Sequence, residues 1–136
     1  MFEPVHVNPL GEKTYRVLFS PGLAYGIAAD DEIQLLDDGQ YEVTRRGRNL
    51  AVRVLSAKSL SEHAHALTDQ VRERLGGRLD GQTSKGLAFT VPVSAGFQAV
   101  EALFEQFVAN QTGVVWEYGN VYDENGKPIG WWHSEA

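Results

Sequence analysis

The chain contains no cysteine among its 136 residues. That absence excludes disulfides, zinc–thiolate centres, cysteine nucleophiles and iron–sulfur clusters together, and it leaves the redox compartment unmarked. No stretch approaches the roughly 20 consecutive apolar residues of a membrane-spanning helix, so no membrane association is expected. From Met1 to Val7 the sequence places Glu3 and His6 where a secretory signal would carry lysines and then an apolar run. A cytoplasmic location is therefore the expectation. Positive charge is scarce late in the chain: from Glu101 onward Lys127 alone faces Glu101, Glu105, Glu117, Asp123, Glu124 and Glu135. This stretch thus holds −5 of the net charge of −6. An acidic total argues against nucleic acid, whose phosphates are bound by lysine and arginine displacing counterions. By contrast, Arg45, Arg46, Arg48 and Arg53 lie within an acid-free stretch and make a local positive edge.

With 43% apolar residues, the chain can bury a core of its own. Short apolar runs at Tyr15 to Phe19, Ile33 to Leu36 and Tyr41 to Thr44, the last after an Asp38-Gly39 turn, predict a β-meander. Leu50 to Leu55 alternates and predicts a further strand. Between the first two strands, the apolar but glycine- and proline-broken Pro21 to Ala28 predicts a structured loop across one end of a small barrel or, equally, a short helical turn. Ser59 with Glu62 has the capping-box pattern, and Ala64, Leu67, Val71 and Leu75 then repeat at helical spacing until Gly76-Gly77 stops the helix. A second helix is expected from Gly96 to Asn110, with Phe97, Val100, Phe104, Phe107 and Val108 on its dry face and Glu101 and Glu105 on its wet one. Arg78 to Gln82 and Gly86 to Val93 read as a hairpin, and Val114 to Tyr118 as a strand. Glu124-Asn125-Gly126-Lys127 reads as a turn into a last strand, Ile129 to Trp132.

From Leu50 the order is strand, helix, strand, strand, helix, strand, the ferredoxin-like βαββαβ arrangement. The expected fold is α+β in one domain, 1–136. Residues 1–55 form a β-meander or small barrel-like sheet, 50–118 a ferredoxin-like portion, and 119–136 a C-terminal hairpin or tail. The strand at Leu50 is expected to belong to both sheets.

Chemistry is sparse. His63 and His65 stand two apart on a helix, roughly 200° around it, and cannot chelate one ion from one face. Neither a metal nor any other cofactor is expected. Asp30-Asp31-Glu32 could supply paired carboxylates for hydrolysis, but short acids before a strand more commonly satisfy local backbone donors. No serine stands in a nucleophile-elbow pattern, and no glycine-rich phosphate loop occurs. No catalytic residue is assigned, and the expectation is a protein without enzymatic activity.

The informative segment is the last one. Trp116, Tyr118, Tyr122, Trp131 and Trp132 accumulate beside Glu117, Asp123 and Glu124. Tryptophan and tyrosine are enriched in binding hot spots, and acids around them steer a basic partner. Glu117, Asp123, Glu124, Trp131 and Trp132 are the candidate partner-binding residues. Only one of the two adjacent tryptophans can face inward on a strand, so the other is expected at the surface.

The segments Ala28-Ala29-Asp30-Asp31-Glu32-Ile33 and Arg45-Arg46-Gly47-Arg48-Asn49-Leu50-Ala51-Val52-Arg53-Val54 carry a resemblance, with support from Tyr15 to Leu18 and Tyr41 to Val43. Over about residues 3 to 118 the chain resembles an uncharacterised family of small bacterial proteins, a domain of unknown function. That family's pattern reads like Ala-x-Gly-Asp-x-Ile followed by Arg-x-Gly-Asn-x-x-Val-Arg. This chain departs from it with Asp30 in place of glycine and an inserted Arg48. The resemblance brings no catalytic residue. By analogy, small families of this kind include immunity proteins that neutralise a toxin. The expected function is a binding protein of immunity or antitoxin type that blocks a basic bacterial toxin or effector. The alternative is a small-molecule-sensing or regulatory domain.

Overall fold

A computed structural model describes residues 5–133. Four short strands, β1 (Val7–Gly11), β2 (Thr14–Val17), β3 (Glu32–Leu35) and β4 (Tyr41–Arg45), form an antiparallel sheet in the order of the chain. It is an open meander; among the described residues no barrel closes. Asn8 and Pro9 conceal β1 in the sequence. The strand is possible because it lies at an edge, where the N–H that proline lacks is not needed. Val17, Ile27 and Ile33 make a small core beneath this sheet.

The second sheet contains β5 (Asn49–Ser56), β6 (Arg78–Thr83), β7 (Gly86–Pro92) and β8 (Val114–Tyr118), in the order β6-β7-β5-β8 with every pair antiparallel. Helix α1 (Ala64–Gln70) and its wider last turn Val71–Leu75 follow β5, and α2 (Phe97–Ala109) follows β7. This is the ferredoxin-like arrangement that the element order implies. Both helices cover one face of the sheet. Leu50, Val52 and Val54 of β5 alternate inward with Leu87, Phe89 and Val91 of β7 to meet Leu67, Val71, Val100, Leu103 and Phe104. Phe89 and Phe104 pack edge to face at 5.7 Å, and replacing either by alanine costs about 3–5 kcal/mol. Among the described residues no helix is long and apolar enough to cross a membrane.

Three local expectations change. The strand at Leu50 is not shared: β4 and β5 do not pair, because the chain turns at Gly47 and Arg48, the latter at φ 61. Ser59 and Glu62 form no capping box; the Ser59 hydroxyl accepts from the Ser61 N–H instead, and α1 starts at Ala64. Beyond Val121 the turn at Asp123 to Lys127 forms, but Ile129 to Trp132 is not a strand. Pro128 offers no N–H, Gly130 sits at φ 80, and the chain curls into a single 3-10 turn, Trp131–His133.

The loop of residues 18–31 fixes the relation between the sheets. Its ends are pinned to each other, with the Val17 N–H donating to the Asp31 carbonyl at 2.8 Å and the Asp30 N–H to the Val17 carbonyl at 2.7 Å. Between those pins it crosses the face of the second sheet that the helices leave open. The Gly26 N–H donates to the Gly119 carbonyl at 2.8 Å, and the Ser20 and Thr90 hydroxyls meet at 2.6 Å.

Candidate functional site

β8 is an edge strand, and residues from both of its faces reach its free side. Trp116 and Tyr118 point to the helix side. There they meet Glu101 and Glu105, one turn apart on α2: the Tyr118 hydroxyl donates to Glu101 Oε2 at 3.0 Å, and Trp116 Nε1 to Glu105 Oε1 at 2.9 Å. Trp116 also stacks on Phe104, with ring centres 5.5 Å apart. Glu117 points the other way. Its Oε2 accepts the Tyr25 hydroxyl at 2.6 Å and lies 3.2 Å from Arg53 Nε.

Arg53 belongs to the central strand and its side chain is only 2% exposed. Its Nη2 donates to the Ala24 carbonyl at 2.8 Å, and its guanidinium carbon sits 4.4 Å from the centre of the Tyr25 ring. Nε and Nη1 are buried without a hydrogen-bond acceptor of good geometry. Arg53 thus fixes Glu117 and Tyr25 from below. Gly119 gives it room, since a Cβ there would run into the guanidinium.

Tyr25, Trp116, Tyr118 and Tyr122, with Glu101, Glu105, Glu117 and Asp123, line a cleft of about 480 Å3. Four carboxylates face four aromatic rings, and three of the carboxylates are held by an aromatic donor, so the wall is both anionic and fixed. The phenols of Tyr25 and Tyr118 are held in their protonated form. Hydrogen bonding to Glu117 followed by burial raises the Tyr25 pKa; burial followed by Glu101 raises that of Tyr118 far more. Such a cleft is matched to an organic cation whose stem lies on the rings and whose head meets carboxylate oxygens.

Of the residues singled out from sequence, Glu117 and Asp123 line this cleft, and Glu124 borders an adjoining hollow with Tyr25, Tyr122 and Asp123. Trp131 and Trp132 do not join them. Trp131 is 8% exposed, its Nε1 donates to the Asn120 carbonyl at 2.8 Å, and the Arg46 guanidinium lies 5.8 Å from its ring centre. Trp132 is half-buried against Phe97 and Trp131. Because the segment curls instead of running as a strand, both rings pack, which corrects the expectation that one projects outward. Sequence reasoning misses Tyr25, Glu101 and Glu105 as site residues. The i,i+4 spacing of Glu101 and Glu105 is visible in the chain, but a solvated helix face gives the same pattern.

The other candidates dissolve into structure. Asp31 is buried: Oδ1 accepts from the Gly47 N–H at 2.8 Å, and Oδ2 accepts from the Ala28 N–H at 3.0 Å and Arg46 Nη1 at 3.3 Å. Asp30 accepts from Asn49 at 3.2 Å, while Glu32 lies between Arg16 and Arg45. The three acids therefore share no reaction site. The arginine edge is consumed similarly, Arg46 by Asp31 and the Gly26 carbonyl, and Arg48 by the Trp132 carbonyl. His63 packs on Phe107 and His65 pairs with Asp69. Among the described residues no group of three or more histidines and acids could hold a metal.

No functionally curated protein matches the chain. The solved structure of a hypothetical protein from Neisseria gonorrhoeae is similar in fold, with a TM-score of 0.67 and 10% identity over 85% of this chain and 80% of that one. A family model described as "Domain of unknown function (DUF4265)" matches residues 3–117. Most of the chain lies inside that match, and the protein belongs to this family of unknown function.

Proposed function

We propose that this protein is a non-enzymatic binding protein of immunity type, which blocks a basic bacterial toxin or effector by receiving its cationic side chains in the cleft beside β8. One observation carries the reading: the carboxylates of Glu101, Glu105, Glu117 and Asp123 converge on one aromatic-walled cleft. Fixed carboxylates need no rearrangement to meet a lysine or arginine, which lowers the ordering cost of association. Their summed field steers a basic partner at a distance. Trp116 and Tyr122 supply the flat apolar area on which a long cationic side chain rests.

The test is a paired capture from the native host with the wild-type chain and a Glu105→Lys/Asp123→Lys variant as baits. The expected result is one stoichiometric basic protein retained by the wild type and lost by the variant. That protein should be toxic alone and harmless when co-expressed with the wild type. Equal retention by both baits would remove the cleft from the interface, and a captured protein without toxicity would overturn the immunity role.

A further inference from the structure

A second cavity, of about 410 Å3, lies between the loop of residues 18–31 and the open face of the second sheet. It shares no lining residue with the acidic cleft. Phe19 and Leu23 of the loop, Leu55 of β5 and Ala88 of β7 give it apolar walls. Its size falls within the range of roughly 300–1,000 Å3 usual for small-molecule sites. Phe19 and Leu23 are 43% and 49% exposed, so apolar surface stays in contact with water along this hollow.

The cavity exists partly because of Gly81. β6 bulges between Leu79 and Gly81, which brings Gly81 opposite Ala88. A Cβ built at Gly81 would meet nothing nearer than the Ala88 Cβ at 3.8 Å. The space beyond is open.

The charges around the hollow are of two kinds. Asp80 borders it, but its carboxylate is fully engaged. Oδ1 lies 2.7 Å from Arg78 Nε, and Oδ2 accepts the Ser20 N–H at 2.8 Å and the Thr90 hydroxyl at 2.5 Å. Its side chain is 1% exposed and its charge is balanced by Arg78. Lys85, in the turn between β6 and β7, is the opposite case: it is exposed, it lines the cavity, and its ammonium has no partner among the described residues. His6 adds a ring at the same rim, packed edge-on against Phe19 at 5.7 Å. The hollow therefore pairs apolar walls with a cation that is unpaired among the described residues and an acid that is satisfied.

We propose that this cavity binds a small carboxylic acid, with its apolar body between Phe19, Leu23 and Leu55 and its carboxylate against Lys85. An amine of the same shape would set its ammonium beside Lys85, and a neutral analogue would leave that charge unmatched. The site is independent of the cleft and of the toxin-blocking role.

Methyl-resolved NMR on the full chain tests this, with phenylacetate and hexanoate as probes and phenylacetamide and phenethylamine as controls. One or both acids are expected to shift the methyls of Leu23, Leu55 and Ala88 saturably, at least five-fold more tightly than the amide. Lys85→Gln should weaken the acid at least five-fold and leave amide binding unchanged. Gly81→Leu should fill the space and abolish binding. Since Lys85 is an exposed turn residue, its variant still decides the matter if Gly81→Leu fails to fold. Absence of saturable shifts with both acids, equal binding of acid and amide, or indifference to Lys85→Gln would each overturn the proposal.

Discussion

The guanidinium of Arg53 lies 4.4 Å from the centre of the Tyr25 ring, which places a buried cation of the central strand directly against an exposed residue of the crossing loop. Glu117 lies across the pair, accepting from Tyr25 and facing Arg53 Nε. Arg53 is buried while the Glu117 side chain is 35% exposed, so removing the acid leaves a buried cation without its charged partner. Glu117→Ala is therefore expected to lower stability by about 2–4 kcal/mol, and Arg53→Met added to it should restore part of that loss. Urea unfolding of the two single variants and the double variant measures the coupling. Strictly additive losses would show that the pair does not act as a unit.

Asp31 supplies a pH dependence with an unusual sign. Burial raises its pKa above the ordinary 3.8, outweighing the opposing Gly47 and Ala28 N–H groups and the Arg46 guanidinium. A carboxyl group raised on folding contributes stability that is fully present below its unfolded pKa and is lost as pH climbs through the folded one. Wild-type stability relative to Asp31→Asn should thus rise on acidification from pH 7 towards pH 4. Denaturant unfolding across that range for both proteins checks the slope. A difference that shrinks on acidification would reverse the assignment.

Tyr118 is expected to titrate late. Burial and its bond to Glu101 raise its pKa, so its phenol stays protonated until the fold opens in alkali. In a spectrophotometric titration at about 295 nm, the native-state amplitude should be the same for wild type and Tyr118→Phe. A smaller amplitude in the variant before unfolding would show that the phenol is accessible. Linkage then requires Tyr118→Phe to flatten the loss of stability above the ordinary tyrosine value of 10.0.

Gly47 is fixed by contact. A Cβ there would stand 2.5 Å from the Asp30 carbonyl carbon, a backbone atom that cannot swing aside. Gly47→Ala should cost about 2–4 kcal/mol, measured as a lowered urea midpoint with an unchanged slope. Loss of less than about 0.5 kcal/mol would mean that the joint yields.

The segments that carry the family resemblance meet at this joint. Asp31 ties the Gly47 and Ala28 N–H groups, Asn49 donates to the Ala29 carbonyl at 3.0 Å, and Arg53 reaches the Ala24 carbonyl. Asp30, where the resemblance leads to the expectation of glycine, adopts φ 72, and Arg48 adopts φ 61. A pattern whose chemistry could not be read from sequence is thus the fastening of one sheet to the other.

Local elements were legible along the chain: the α2 stripe, the Gly76 stop, the βαββαβ order and the alternation of β8 are set by periodicity and turn chemistry among near neighbours. So was the crowding of acids and aromatics into the C-terminal third. Which of them share a site was decided only by tertiary structure. Glu101 and Glu105 come from a helix, Glu117 from an edge strand and Tyr25 from a loop 92 residues before Glu117, and long-range packing alone brings them to one cleft. Trp131 and Trp132 turned inward for the same kind of reason. Gly130 at φ 80 redirects the backbone, and the Asn120 carbonyl and Arg46 provide a buried seat that no local pattern encodes.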